Sequence, residues 1–206
     1  MIEIQILGAG AWGTALAIAL AREEVPVTLT PRDAQQAETF QKSRENTRYL
    51  PGIRLPEGVK VDARIRPAEG KEKVFILAAP SYGLRGWASR LKEAVSFEGE
   101  NPPAILSLAK GLESDSLKLP REVLQEILPA APVYALSGPN FAREVARGCP
   151  AAAVLAGQAY TPQLERLQQV ISSHLLRIYT SDDSIGVELG GCLKNVYAIG
   201  AGICQG

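Results

Sequence analysis

Apolar residues along this chain gather into short, nearly continuous runs, and the stretches between them carry helical spacing. The first run, IEIQIL at residues 2–7, is rich in β-branched side chains and reads as a buried strand. Glycines punctuate residues 8–13, and the alanine- and leucine-rich stretch 14–22 has helical character. A second strand is expected at 25–30 and a polar helix at 33–43. Further strands are expected at 59–62, 74–79, 104–109, 133–136 and 152–155, with helices at 84–94, 118–128, 140–147 and 162–173. The segment 46–58, NTRYLPGIRLPEG, is expected to be an ordered loop. Near-continuous apolar strands alternating with helices predict an α/β fold built on a doubly wound, mostly parallel sheet. No internal repeat or low-complexity segment interrupts that order.

The pattern changes at 180–184, a polar hinge in which Asp182, Asp183 and Ser184 are N-cap candidates. A helix of roughly 20 residues should follow. It is apolar on so much of its surface that other helices, the first domain or another chain must cover it. From Ser184 to Gly206 its only charged residues are Glu188 and Lys194, and Asn195 follows the lysine. Gly190 and Gly191, one turn back, should leave open space beside the lysine stem. Burying an ammonium costs several kcal/mol, so such a lysine has a partner or a task. The alternative is a snorkelling lysine whose stem packs and whose head reaches water, and helix chemistry alone favours it.

Composition narrows the function classes. The 206 residues are 46% hydrophobic, which suits one large domain or one domain plus part of another. Basic and acidic residues balance at 22 each, so no global field draws nucleic acid or an acidic membrane. Cys149, Cys192 and Cys204 are widely spaced and the single histidine is His174, expected at a surface helix end. Neither a structural zinc site nor a disulfide framework is expected, no metal is called for, and a reducing compartment fits. The stretch ILGAGAWGTALAIALA lacks the basic start of a signal peptide, and glycines interrupt it. A soluble, cytoplasmic protein is therefore expected.

The chemistry starts at Gly8-Ala9-Gly10-Ala11-Trp12-Gly13, a G-x-G-x-x-G directly after a strand and opening a helix. Gly8 permits the tight turn, Gly10 lets the backbone approach a pyrophosphate, and Gly13 allows close packing of helix on strand. The helix N-terminus presents unpaired N–H groups to phosphates. That setting makes the sheet Rossmann-type and the ligand NAD or NADP. At the end of the second strand stand Arg32 and Asp33: an acid there suits the NAD ribose, an arginine the NADP 2′-phosphate. Asp33 has a competing role as a helix N-cap, which frees Arg32 and leans the reading to NADP. Three other strand ends, Ala78-Ala79-Pro80-Ser81, Lys110-Gly111 and Ser137-Gly138-Pro139-Asn140, should converge on the same cleft, with Lys194 arriving from the last helix. Each taken singly has a plainer reading as a strand terminator, turn or cap.

Together these pieces resemble the NAD(P)-dependent glycerol-3-phosphate dehydrogenases: GAGAWGTALA, NTRYLPGIRLP, AAPS, SLAKGLE, SGPNFAREVARGCPAA and GVELGGCLKNVYAIGAGI stand in that family's order and spacing. The resemblance implies reversible reduction of dihydroxyacetone phosphate to sn-glycerol 3-phosphate, a precursor of glycerophospholipids. It implies that Lys194 is the catalytic lysine and that Lys110 contacts both substrate and cofactor. Gly138 and Asn140 would contact substrate; Ala11, Trp12, Arg32, Tyr49 and Ala142 would contact the nucleotide, beside Pro80 at its strand end. Asn195 would orient the lysine or the substrate, and a partly apolar site would favour the neutral form of Lys194. Two departures are visible: Asn140 stands where several relatives have Ser, and Gln205 where relatives often have Asp. Residues 1–181 are expected to be the dinucleotide-binding domain, and 182–206 the first helix of an all-helical substrate domain that is otherwise missing. A homodimer fits the family. Against this stand a nucleotide-binding module without activity and a related dehydrogenase of another small acid or phosphate ester.

Overall fold

The computed structural model describes residues 2–67, 72–99 and 101–206. In chain order the elements are β1 (Ile2–Leu7), α1 (Ala11–Arg22), β2 (Val27–Thr30), α2 (Ala34–Ser43), β3 (Val59–Val61), β4 (Glu72–Leu77) and α3 (Ser81–Ala94). There follow β5 (Ala104–Ser107), α4 (Pro120–Ile127), β6 (Val133–Ser137), α5 (Ala142–Arg147), β7 (Ala151–Ala156), α6 (Pro162–Ile171), β8 (Leu176–Ser181) and α7 (Ser184–Gln205). The strands form one sheet ordered β3-β2-β1-β4-β5-β6-β7-β8. All neighbours are parallel through β6; β7 then pairs antiparallel with β6, and β8 lies parallel to β7.

Ile4, Ile6 and Leu7 are wholly buried because β1 lies inside the sheet with helices on both faces. One core packs α1, α2 and α6 on the sheet through Leu16, Ile18, Phe40, Leu164 and Leu167. The other packs α3 and α4 through Leu84, Trp87, Leu91, Val123 and Leu124. After β1 the chain winds outward to β2 and β3, then returns to β4 on the other side of β1. The carboxyl ends of β1 and β4 therefore bound a crevice at the point where winding reverses, the usual ligand position in such sheets.

Two expectations are corrected at the far edge. Residues 176–181 are a strand that the apolar runs did not reveal, and the polar hinge expected from residue 180 begins inside it. As the outermost strand, β8 buries Leu176 and Ile178 and exposes Arg177 and Tyr179. It buries one face only, where the inner strands bury residues on both. Of the three cap candidates, Asp183 takes the position: its Oδ1 accepts from the Gly186 N–H at 2.8 Å. α7 then rests on the sheet domain only over its first half, where Ser184, Glu188 and Gly191 are buried. Every residue from Asn195 on is exposed, including Val196, Tyr197, Ile199 and Ile203. Among the described residues no helix is long and apolar enough to cross a membrane.

Candidate functional site

The glycine turn divides its labour. Gly8 has φ +108°, and a β-carbon there would lie 2.6 Å from the Ala78 carbonyl oxygen at the end of β4. A β-carbon on Gly13 would overlap the Gly8 carbonyl and sit 2.8 Å from Ala78 Cβ. Both glycines thus serve the close packing of α1 against β1 and β4. Gly10 differs: no atom stands within 4 Å of where its β-carbon would be. Gly10 is also the N-cap of α1 and offers no side chain to the first-turn N–H groups. An open approach to uncapped N–H groups at a helix N-terminus suits a pyrophosphate. Ala11 and Trp12, both half-buried, form that first turn.

Sequence reading missed the residue that fixes the turn. Asn46 is fully buried; its Nδ2 donates to Ala9 O at 3.0 Å and to Thr14 Oγ1 at 2.8 Å. Its Oδ1 accepts from the Tyr49 N–H at 3.2 Å. One side chain thereby ties the glycine turn, the start of α1 and the backbone of Tyr49 together, and Tyr49 itself stays exposed with the Arg48 guanidinium 5.0 Å from its ring. At the end of β2, Asp33 is occupied as the N-cap of α2, accepting from the Gln36 N–H at 2.8 Å. The neighbouring Arg32 side chain is 82% exposed.

Three strand ends meet as the spacing predicted, joined by α7. Pro80 is the exposed N-cap of α3. The next residue, Ser81, presses on Gly111, where φ is +150° and a β-carbon would meet Ser81 Oγ at 3.0 Å. Lys110 Nζ donates to Gly138 O at 3.0 Å, linking the β5 and β6 ends. Gly138 in turn needs to be glycine, since a β-carbon would lie 2.6 Å from Ala152 O on β7 and 2.9 Å from Asn140 Nδ2. That Asn140 Nδ2 is buried and has no hydrogen-bond partner among the described residues. An orphaned buried donor in a native fold points to a missing acceptor. Ala142 opens α5 just beyond and packs on the core.

The structure revises the surroundings of Lys194. Gly190 does face open space, but a β-carbon on Gly191 would stand 2.9 Å from Ser137 Oγ and 3.8 Å from Lys110 Cγ. Gly191 is thus the point where α7 touches the sheet domain, not a void beside the lysine. Lys194 is half-buried, and its ammonium lies 5.3 Å from the Phe141 ring centroid, a cation–π distance. Burial disfavours the charged form of Lys110, and the Lys194 charge pushes its pKa down further. Asn195 is exposed on α7. Cys192, one residue beyond Gly191, has its thiol pushed up chiefly by burial, with the nearby Gly111 N–H acting the other way. Among the described residues no cluster of His, Cys, Asp and Glu could hold a metal ion.

The fold thus places a glycine turn at the switch point, Lys110 after β5 and Lys194 on α7. Residues 3–162 match the model of the NAD-dependent glycerol-3-phosphate dehydrogenase N-terminus, and residues 183–206 match that of the same family's C-terminus. The chain belongs to this dehydrogenase family. The glycine turn, Lys110 and the Ser-Gly-Pro-Asn loop fall within the N-terminal match, and Glu188 and Lys194 within the C-terminal one. A glycerol-3-phosphate dehydrogenase [NAD(P)+] of Thiobacillus denitrificans is 43% identical over the whole chain, which covers 61% of that relative. Among solved structures, glycerol-3-phosphate dehydrogenase from Coxiella burnetii superposes with a TM-score of 0.82 at 33% identity, over 98% of this chain and 61% of that one. The Plasmodium falciparum enzyme superposes with a TM-score of 0.84 at 25% identity, over 99% of this chain and 59% of that one. The chain thus spans about three-fifths of the length of these family members.

Proposed function

We propose that this chain carries the dinucleotide site and the proton-transferring side of a glycerol-3-phosphate dehydrogenase that interconverts dihydroxyacetone phosphate and sn-glycerol 3-phosphate. The observation that supports it most is the joining of Lys110, Gly138, Asn140 and Lys194 beside the switch-point crevice. Residues 1–181 are the dinucleotide-binding unit and 182–206 open the substrate-binding unit.

Gly8 and Gly13 shape the turn, and the open flank of Gly10 with the N–H groups of Ala11 and Trp12 receives the pyrophosphate. Pro80, Tyr49 and Ala142 line the remainder of the nucleotide site. Asp33 is engaged as a cap and lies 3.7 Å from Arg32 Nε, while the Arg32 side chain stays largely exposed, so NADP is favoured over NAD. When bound, the nicotinamide supplies or accepts the hydride.

Carbonyl reduction leaves negative charge on the ketone oxygen. Lys194 donates the proton there, and in the reverse direction takes it from the alcohol. Lys110, held on Gly138 O, presents a second positive charge to an anionic substrate and stabilises charge developing at its oxygen. The unpartnered Asn140 Nδ2 donates to a substrate oxygen, and Asn195 contacts substrate or lysine from α7.

Lys194→Ala should lower turnover of the longest form the gene encodes by about 10²- to 10⁴-fold, the usual range for a general acid. NADPH affinity, followed by its fluorescence, should stay unchanged. Near-normal turnover in that variant would sink the assignment. Nucleotide binding without any turnover in that longest form would mark the protein as a binding module instead. Equal affinities for NADPH and NADH would remove the role given to Arg32.

A further inference from the structure

Glu188 has no part in the reaction as described, yet it is the most deeply buried charge-bearing side chain on α7, 3% exposed. Its Oε1 accepts from the Arg121 backbone N–H at 2.8 Å. Arg121 is the second residue of α4, after Pro120, so this donor is one that no intrahelical carbonyl can satisfy. The positive end of the α4 dipole faces the carboxylate at the same place. Its Oε2 is buried and has no hydrogen-bond partner among the described residues. Three and four residues further along, the same face of α7 carries Gly191, against Ser137 and Lys110, and Cys192, against the Gly111 N–H. Glu188 is therefore one of the seats by which α7 rests on the sheet domain, together with Ser184 and Gly191, and Lys194 follows Gly191 within one turn. The rest of the helix, from Asn195 on, is exposed and holds nothing in place.

We propose that Glu188 is a positioning residue: its carboxyl group, seated on the first turn of α4, sets how α7 lies over the Lys110-Gly111 loop and so where the Lys194 ammonium stands. The proposal rests on the role assigned to Lys194 above, but not on the chain turning over substrate. Oε1 and Oε2 make the seat sensitive to a proton. As a carboxylate, Glu188 makes a charge-assisted bond to Arg121 N–H but leaves a bare charge on Oε2; as an acid, it weakens that bond and quenches the charge. The titratable and charged groups facing it are Arg121 and Glu122 from α4 and Cys192 from α7 itself. Burial pushes the carboxyl up to about 7, so both forms are populated near neutrality.

The test is an NMR titration of the isotopically labelled chain from pH 5 to 9, following the Arg121 amide and the side-chain Cε signals of Lys110 and Lys194. A common inflection near pH 7 is expected at the Arg121 amide and at Lys194 Cε. Glu188→Gln, which keeps the acceptor and the size, should abolish that inflection at both while leaving the rest of the spectrum in place. Glu188→Leu, which removes the acceptor, should shift Lys194 Cε at every pH. An Arg121 inflection with no response at Lys194 would reduce Glu188 to a structural contact and overturn the proposal. So would an inflection that survives in Glu188→Gln. Because the wild-type titration needs no variant, a misfolded substitution leaves the outcome decidable, and inactivity of the chain leaves it unaffected.

Discussion

Gly8, Gly10 and Gly13 look equivalent in the motif but answer to different neighbours. Gly8→Ala would combine a positive φ with a 2.6 Å approach to Ala78 O, so it should cost on the order of 3 kcal/mol of stability. Gly10→Ala meets no protein atom within 4 Å and should cost under about 1 kcal/mol. The same methyl would stand where the pyrophosphate approaches, so NADPH affinity should fall by about tenfold or more, roughly 1.4 kcal/mol. Urea unfolding and NADPH titration of the two variants check the contrast; equal losses of stability would refute it. Asn46→Ala should cost about 2–3 kcal/mol, because Ala9 O, Thr14 Oγ1 and Tyr49 N all lose a buried partner. It should weaken NADPH binding as well, since the turn and Tyr49 lose their common tie.

At the scale of elements, α7 is two helices in one. Its first half is seated through small and polar groups, and its second half meets nothing. Two adjacent glycines should therefore respond in opposite directions. Gly190→Ala faces open space and should stabilise the chain by about 0.5–1 kcal/mol through helix propensity alone. Gly191→Ala forces a methyl against Ser137 Oγ and should destabilise by about 1–3 kcal/mol. Hydrogen exchange along α7 reads both: slower in the first variant, faster in the second. Polar substitutions at Val196, Ile199 or Ile203 should change the stability of this chain by no more than about 0.5 kcal/mol, because nothing is unpacked.

For the whole molecule, two sets of carboxyls titrate in opposite senses. Glu188 is raised in the fold to about 7, above its ordinary 4.5, chiefly by burial. The folded state therefore holds its proton more tightly, and that contribution is full below about pH 4.5 and is lost as pH rises through 7. Its size is on the order of 3 kcal/mol at 1.4 kcal/mol per unit. Glu113 and Glu126 are lowered to about 2, first by hydrogen bonds from Arg85. Their contribution is present above the ordinary 4.5 and is lost as pH falls toward 2. The Arg85–Glu126 pair lies on the surface and Arg85 itself is open to water and salt, which screen its bonds to both carboxyls, so the acid limb should be shallow and the neutral limb steeper. Urea midpoints from pH 3 to 9 should show this asymmetric dome, and Glu188→Gln should flatten its neutral side. Parallel curves for wild type and Glu188→Gln would contradict the assignment.

The amino-acid sequence by itself determined the sheet, the glycine turn and the residues that meet at the strand ends. Strands buried on both faces are mostly apolar, and a turn that cannot accept a β-carbon must be glycine, so local composition records both. β8 escaped because an edge strand needs only one buried face, and its alternation of Leu176 and Ile178 with Arg177 and Tyr179 is a weaker signal than an apolar run. The roles of Asn46 and Glu188 were decided only in three dimensions. Their partners lie 37 and 67 residues away in the chain, and whether a buried polar group is satisfied depends on what the fold brings to it. The same holds for Lys194: its spacing shows a charge in an apolar helix, but only packing shows that Gly191 seats this helix against Ser137 and Lys110. A sequence states which groups are costly to bury; the tertiary structure decides which of them are buried, and against what.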